Sequence, residues 1–264
     1  MFTKPLISIS AAFLLYVSLA NISITKVTAP VKSPETRHLD MSPEKRLLVL
    51  LGLKEDVNDT QIIQLLDVPK KQIFATGLVR YRRISSATPK LLQIVNDANI
   101  FFPPRLTAAD ALCDFGNKEW IPAIKALSLD PNSIVARSPF KIEVARLLAR
   151  AGDYSQFEVV AKSVGDNKSS VRHLAIQALG EFCHKNDPVT DSATKLLYTV
   201  ATSDDVPSLR DQAIVSLEKI AKIKPEVTSK VIDAIQANVN SADKNLRTMC
   251  RQKLKVYSKQ SKTN

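Results

Sequence analysis

Apolar residues recur at helical spacing along most of the chain, and six stretches follow one rule. In each, a lysine or arginine, here called the anchor cation, is followed by a small or apolar residue at position +3 and by leucine at position +7. Because an α-helix completes a turn every 3.6 residues, these positions share one face. Each stretch therefore predicts a helix with one buried stripe. The anchor cations are Lys71, Arg105, Lys141, Arg172, Arg210 and Arg247, and the leucines are Leu78, Leu112, Leu148, Leu179, Leu217 and Leu254.

The anchor cations lie 34, 36, 31, 38 and 37 residues apart, which is the length of a helical hairpin. A second helical pattern precedes each anchor, and several of these patterns open with a residue suited to the N-cap or N1 position, such as Asp59, Pro89, Asp191 or Pro225. Each repeat is therefore predicted to contain a helix A, a short turn and a helix B. One hairpin cannot bury its stripe alone, so the hairpins are expected to stack as an all-α solenoid.

The best repeat, VRHLAIQALGEF, resembles a HEAT repeat of the bilin-lyase-type variant, which has a valine-arginine start and an alanine-leucine-glycine centre in helix B. Val171, Arg172, Ala175, the run 178–180 and Phe182 carry the resemblance, and the stretch PRLTAADALCDFGN from Pro104 is nearly as similar. The resemblance covers about residues 59–258. It implies a right-handed, armadillo-like superhelix of about six hairpins. The family includes scaffolds, adaptors, transport receptors, bilin-attachment factors and a few enzymes, so the resemblance leaves function open.

The two ends of the repeat array depart from this pattern. Gly77 replaces the usual alanine, and Lys253 stands at position +6, which is expected to be buried in the repeats. Both changes fit terminal units, which need a more polar outer face. The stretch SPEKRLLVLLGL, residues 42–53, predicts an additional N-terminal capping helix. The solenoid is thus expected over 42–258, after a polar linker at 21–41 and before a basic tail at 259–264.

Composition and charge narrow the picture further. Six glycines and 6% aromatic residues are few for a β-sandwich and ordinary for a helical array. The net charge is +11, and residues 244–264 hold seven basic residues and no acid. This asymmetry favours an anionic partner, or it is a solvated terminus that keeps the chain soluble.

The first twenty residues hold an apolar run that ends in Ser18-Leu19-Ala20, a pattern typical of an export signal cleaved after Ala20. The protein is therefore expected to be periplasmic or secreted. The alternative is an uncleaved N-terminal membrane anchor, although the run is short for a span. The three cysteines Cys113, Cys183 and Cys250 are an odd number and predict no closed disulfide framework.

Candidate chemistry is sparse, so the sequence predicts no enzyme, metal or cofactor. Iron-binding members of the family carry His-Glu pairs, but here His173 is followed by Leu174. Cys183, His184 and Asp187 have the residue types of a nucleophile, base and orienting acid, yet adjacent helix residues do not face each other. No phosphate loop or CxxC motif is present.

Two further motifs have alternative interpretations. Residues 60–83 have the form of a basic helix-turn-helix, which the repeat register explains without DNA. Asn58 and Asn167 lie in glycosylation sequons, as does Asn21.

The concave wall formed by the B helices is the predicted binding surface. The main hypothesis is a non-enzymatic, exported protein-interaction scaffold that binds an acidic segment there. The alternatives are bilin attachment or another cofactor-transfer activity, and polyanion binding to nucleic acid, membrane or glycan through basic residues. The oligomeric state stays open. The candidate partner-binding residues are Gln72, Asp110, Arg146, Arg150, His173, Lys219 and Arg251.

Overall fold

The computed structural model describes residues 41–130, 135, 139–184 and 187–260. The predicted export signal, nearly all of the linker, and residues 261–264 of the basic tail lie outside the described residues, as does Asn21. Where the structure is described, it contains thirteen α-helices and no strand. The chain divides between Trp120 and Ile121 into two compact units.

The first unit contains a capping helix and two hairpins. Helix α1 is the predicted cap and packs on α3, the B helix of the first hairpin. Helix α4 packs on α5 to form the second hairpin, and α5 also packs on α3. The helices are α1 (Pro43–Leu51), α2 (Asp59–Gln64), α3 (Gln72–Arg82), α4 (Thr88–Asn96) and α5 (Phe102–Asp114).

The second unit contains four hairpins, whose B helices α7, α9, α11 and α13 pack one against the next. Their A helices precede them in the chain. The eight helices are α6 (Ile121–Leu129), α7 (Phe140–Arg150), α8 (Phe157–Ser163), α9 (Ser169–Leu179), α10 (Pro188–Ser203), α11 (Pro207–Ala221), α12 (Thr228–Asn238) and α13 (Lys244–Gln260). The prediction of an all-α chain of stacked hairpins is therefore confirmed within each unit.

The repeated leucines form the core. Leu78, Leu112, Leu148, Leu179 and Leu217 are fully buried. Leu254 is half-buried, because α13 is the last helix of the second unit and no later described helix packs on it. The position +3 residues Ala108, Ala175, Ala213 and Cys250 are also buried, as predicted for sites of close helix approach.

Small residues set the distance between neighbouring B helices. A Cβ atom built on Gly180 of α9 would lie 3.2 Å from the Ser216 Cβ of α11, and the Ser216 hydroxyl donates to the Ile176 carbonyl at 3.1 Å. In the first unit, a Cβ on Gly77 would lie 3.2 Å from a Leu47 methyl. The glycine at the first repeat thus allows α1 to dock as the cap.

Tyr81, at the last turn of α3, is 46% exposed. Two expectations about helix N-termini are corrected. Asp191 lies inside the first turn of α10, where Asp187 is the N-cap and accepts from the Val189 amide. Asn58, rather than Asp59, caps α2 through a reciprocal capping box with Gln61.

Candidate functional site

The B helices of the second unit present one continuous surface. In α9 and α11 the residues at positions +1, +5 and +9 from the anchor cation face outward, because these spacings return to the same side of a helix. The Val215 side chain at its centre is 37% exposed. We call this set the B-helix surface; it consists of His173, Gln177, Glu181, Asp211, Val215 and Lys219.

A chain of ion pairs crosses the B-helix surface. The Arg146 guanidinium lies 2.6 Å from the Glu143 carboxylate and 3.8 Å from that of Glu181, and both Arg146 and Glu143 are buried. The Lys219 ammonium lies 2.5 Å from the other Glu181 oxygen. Two of the cations expected to attract a partner are therefore already neutralised by acids of the protein.

Three predicted site residues are buried, so the expectation that they project into solvent is wrong. The Gln72 amide donates to the Leu66 carbonyl at 3.0 Å, which pins the side chain against its own hairpin turn. Asp110 is paired with Arg80 of the neighbouring B helix. Arg146 is held by the two glutamates described above. The position of each residue in its repeat predicted the direction of the side chain. It did not predict the neighbouring residues that cover the side chain.

The other four predicted residues retain exposed surface. Arg150 is half-buried at the end of α7, and the Lys219 side chain is 47% exposed. His173 is half-buried, its ring Nε2 lies 3.0 Å from the Gln177 amide nitrogen, and burial lowers the pKa of its imidazole. Arg251 is exposed and its Nε donates to the Val239 carbonyl at 3.0 Å. The structure thus brings Arg146 and Lys219 together at Glu181 and places His173 on α9, the B helix between theirs.

Two important acids were missed at the sequence level, Glu143 and Glu181. Glu181 stands nine residues after Arg172, and Lys219 stands nine residues after Arg210. Equivalent positions of adjacent repeats become neighbours in space. An acid and a cation at the same repeat position could therefore have predicted this ion pair from the sequence. Asp211 was also missed; burial raises the pKa of its carboxyl, against the lowering effect of Lys253.

The surroundings of Cys183 in the thiol motif disfavour its thiolate form. Burial raises the pKa of the Cys183 thiol, whereas a nucleophilic cysteine needs a lowered pKa. His184 uses its backbone amide and carbonyl to bind the Thr190 hydroxyl. Within the described residues, no group of three or more histidine, cysteine, aspartate or glutamate side chains is arranged to hold a metal ion.

The cations of the helix-turn-helix motif are bound within the first unit. Arg80 pairs with Asp110 and Asp114, and Arg82 pairs with Glu44 and donates to the Val57 carbonyl. These contacts hold the capping helix and the two hairpins together. No helix among the described residues has the length and apolarity needed to cross a membrane.

Comparison with known proteins identifies the repeats. The sequence model of HEAT repeats matches residues 136–218. Residues 136–218 contain HEAT repeats. This segment runs from just before α7 to the last turns of α11 and so contains most of the B-helix surface. No curated protein matches the sequence.

Two solved structures are similar at low identity. One is an engineered protein with 18% identity and a TM-score of 0.42, covering 75% of this chain and 96% of its own. The other is human deoxyhypusine hydroxylase in complex with glycerol, with 16% identity and a TM-score of 0.35, covering 94% of this chain and 96% of its own. At these scores neither likeness bears on function.

Proposed function

We propose that this HEAT-repeat protein is a non-enzymatic scaffold that binds a protein partner on its B-helix surface. HEAT repeats typically mediate protein binding. The observation that carries the proposal is the alignment of α9 and α11, which places half-buried polar residues around exposed Val215 on one face. A partly apolar centre with a polar rim is the usual composition of a protein-binding surface.

The ion pairs of the surface fix its shape. Glu181 is held from two sides, by Arg146 on α7 and by Lys219 on α11. Three consecutive B helices are therefore tied together at the rim, and a partner meets a preorganised surface.

The partner in this proposal is acidic, and the protein is exported. The net charge of +11 would attract an acidic partner over long range, even though Arg146 and Lys219 are paired internally. The apolar run ending at Ala20 supports export with cleavage there. N-terminal sequencing of the native protein should then find Asn21 first, and an N-terminus at Met1 would contradict cleavage.

Val215→Glu is the substitution that tests the surface. The Val215 side chain is exposed, so the change should leave the fold intact while placing a negative charge, which repels an acidic partner, at the centre of the B-helix surface. Thr199→Glu adds the same charge at an exposed position of α10 and is the matched control. Arg146→Glu is unsuitable, because it would leave three acids together in a buried site.

The measurement is affinity capture from the native extracellular or periplasmic fraction, followed by titration of the captured partner. We expect one stoichiometric protein whose affinity falls at least about tenfold with Val215→Glu and less than about twofold with Thr199→Glu. Equal loss with both variants, or retention with both, would contradict binding at this surface.

A further inference from the structure

The last helix of the second unit presents a line of three exposed cations. Lys244, Arg251 and Lys255 of α13 are separated by seven and then four residues, which places them on one side of the helix. At a rise of 1.5 Å per residue the line is about 16 Å long. We call Lys244, Arg251 and Lys255 the end stripe.

Two residues of the end stripe, Arg251 and Lys255, lie where a further hairpin would dock if the stack continued. Arg251 and Lys255 are at positions +4 and +8 from the anchor Arg247. In α9 the same positions are Ile176 and Gly180, which are buried against Ser216 of the next B helix. The last repeat thus carries cations where α9 carries a helix contact, so the stripe is a different surface from the B-helix surface.

The cations of the end stripe also differ from the other cations of the B helices. In the structure as described, no carboxylate lies within 4.0 Å of Lys244, Arg251 or Lys255, and the sequence from 244 to 264 contains no acid. In contrast, Lys219 is paired with Glu181, and Lys253 with Glu218 at 2.5 Å. Hydrophilic residues of any kind would be enough for a polar cap. Three aligned charges of one sign are more than a cap requires.

The chemistry of α13 favours an acidic protein helix over other anionic partners. Membrane-surface helices bury aromatic and leucine side chains, whereas Val256 is the one exposed large apolar residue among the described side chains of α13. Single-stranded nucleic acid stacks on exposed aromatic rings, but Tyr257 is half-buried with its hydroxyl 3.4 Å from Glu218. A second copy carries a net charge of +11 and would be repelled.

We propose that the end stripe is a second docking site, which binds an acidic helix that presents carboxylates along one face. A helix with glutamates at i, i+4, i+7 and i+11 places its charges in a line that matches the stripe and Thr248, which lies between Lys244 and Arg251 on the same side. The end stripe and the B-helix surface share no residue, so an experiment can contradict one proposed binding site without contradicting the other.

Peptide binding to the full-length chain tests the proposal. One probe is a helical peptide with glutamates at the matching spacing, and the other has the same composition with the glutamates spread around the helix. The variant is Lys244→Glu/Arg251→Glu/Lys255→Glu. The control is Lys162→Glu/Lys195→Glu/Lys230→Glu, which makes the same charge change at exposed sites of the A helices.

Fluorescence anisotropy should show the patterned peptide binding at least about tenfold tighter than the scrambled one. The end-stripe variant should lose about tenfold or more, while the A-helix control and Val215→Glu lose less than about threefold. Thermal melting followed by circular dichroism would show that all variants fold.

Three results would overturn the proposal. Equal binding of the two peptides would show that the stripe does not recognise a helical pattern. Equal loss in the two triple variants would show that net charge alone drives binding. Tighter binding of an oligonucleotide, a sulfated polysaccharide or phosphatidylserine vesicles through the same three residues would assign the stripe to a different partner.

Discussion

The guanidinium of Arg172 donates two hydrogen bonds to the carboxylate of Asp204 in the next hairpin, at 3.0 and 3.1 Å. The same guanidinium contacts the Asp166 carbonyl in its own hairpin turn at 3.1 Å and Asp205 at 2.7 Å. The anchor cation of one repeat therefore links two successive turns. Burial raises the pKa of Asp204, but the hydrogen bonds from Arg172 and the Val206 amide outweigh burial and leave that pKa lowered.

Asp204 and Asp205 form a matched pair for testing this link. The Asp204 side chain is 8% exposed and that of Asp205 is 87% exposed. We expect Asp204→Ala to lower the free energy of unfolding by about 2 to 3 kcal/mol, because it leaves a poorly solvated guanidinium without its bidentate partner. Asp205→Ala should cost less than about 0.5 kcal/mol. Urea unfolding measures both, and equal effects would contradict the assignment.

Leu179 and Leu254 test the repeated core in the same way. Leu179 is fully buried, and Leu254 occupies the equivalent position in the last repeat but is half-buried. Leu179→Ala should lower the unfolding free energy by about 3 kcal/mol and Leu254→Ala by about 1 kcal/mol. Thermal or urea unfolding gives the comparison. A larger cost at Leu254 would show that α13 is covered by something beyond the described helices.

The carboxylate of Asp153 should contribute to the free energy of unfolding at neutral pH and lose that contribution in acid. Burial raises its pKa, but hydrogen bonds from the Lys125 ammonium and from Ser155 outweigh burial and hold the pKa at about 2, below the usual 3.8. A lowered pKa stabilises the fold above the unfolded value, and this stability is lost as pH falls from about 4 to about 2. Because Lys125 is 37% exposed, we expect only about 1 kcal/mol.

The matching variant is Asp153→Asn, which keeps an acceptor for the Ser155 amide. Its unfolding free energy should be about 1 kcal/mol below wild type at pH 7 and equal to wild type near pH 2. Denaturant unfolding at a series of pH values measures the difference. A difference that persists unchanged at pH 2 would show that the charge of Asp153 is not the cause.

Two of the three cysteines, Cys183 and Cys250, should react slowly with alkylating agents. Burial raises the pKa of Cys183, and burial also raises the pKa of Cys250 to about 11. At pH 8 both thiols should therefore react with iodoacetamide more slowly than glutathione does, with Cys250 the slower. Peptide mapping by mass spectrometry measures each rate, and urea-unfolded protein serves as the control. Faster reaction at Cys183 than at glutathione would revive the nucleophile hypothesis.

The sequence by itself determined the helices, the hairpin repeat and the buried leucines. These features depend on spacing within a single helix, and residues such as Leu112 and Leu179 face the core wherever the helix packs. The register also located the anchor Arg172, whose ion pairs link two hairpin turns. The resemblance extended this interpretation beyond the segment 136–218 that the family comparison matches.

Only the tertiary structure decided which polar side chains are available to a partner. Arg146 pairs with Glu181, which lies 35 residues further along the chain, and Asp110 pairs with Arg80, which lies 30 residues before it. Spacing within one helix therefore could not reveal either partner. The Asp204 side chain is 8% exposed and that of Asp205 is 87% exposed, although the two residues are adjacent in sequence. Helical spacing gives the direction in which a side chain points from the axis of its helix. Whether that side chain is exposed depends on the residues of the neighbouring helix, and only tertiary packing brings the two helices into contact.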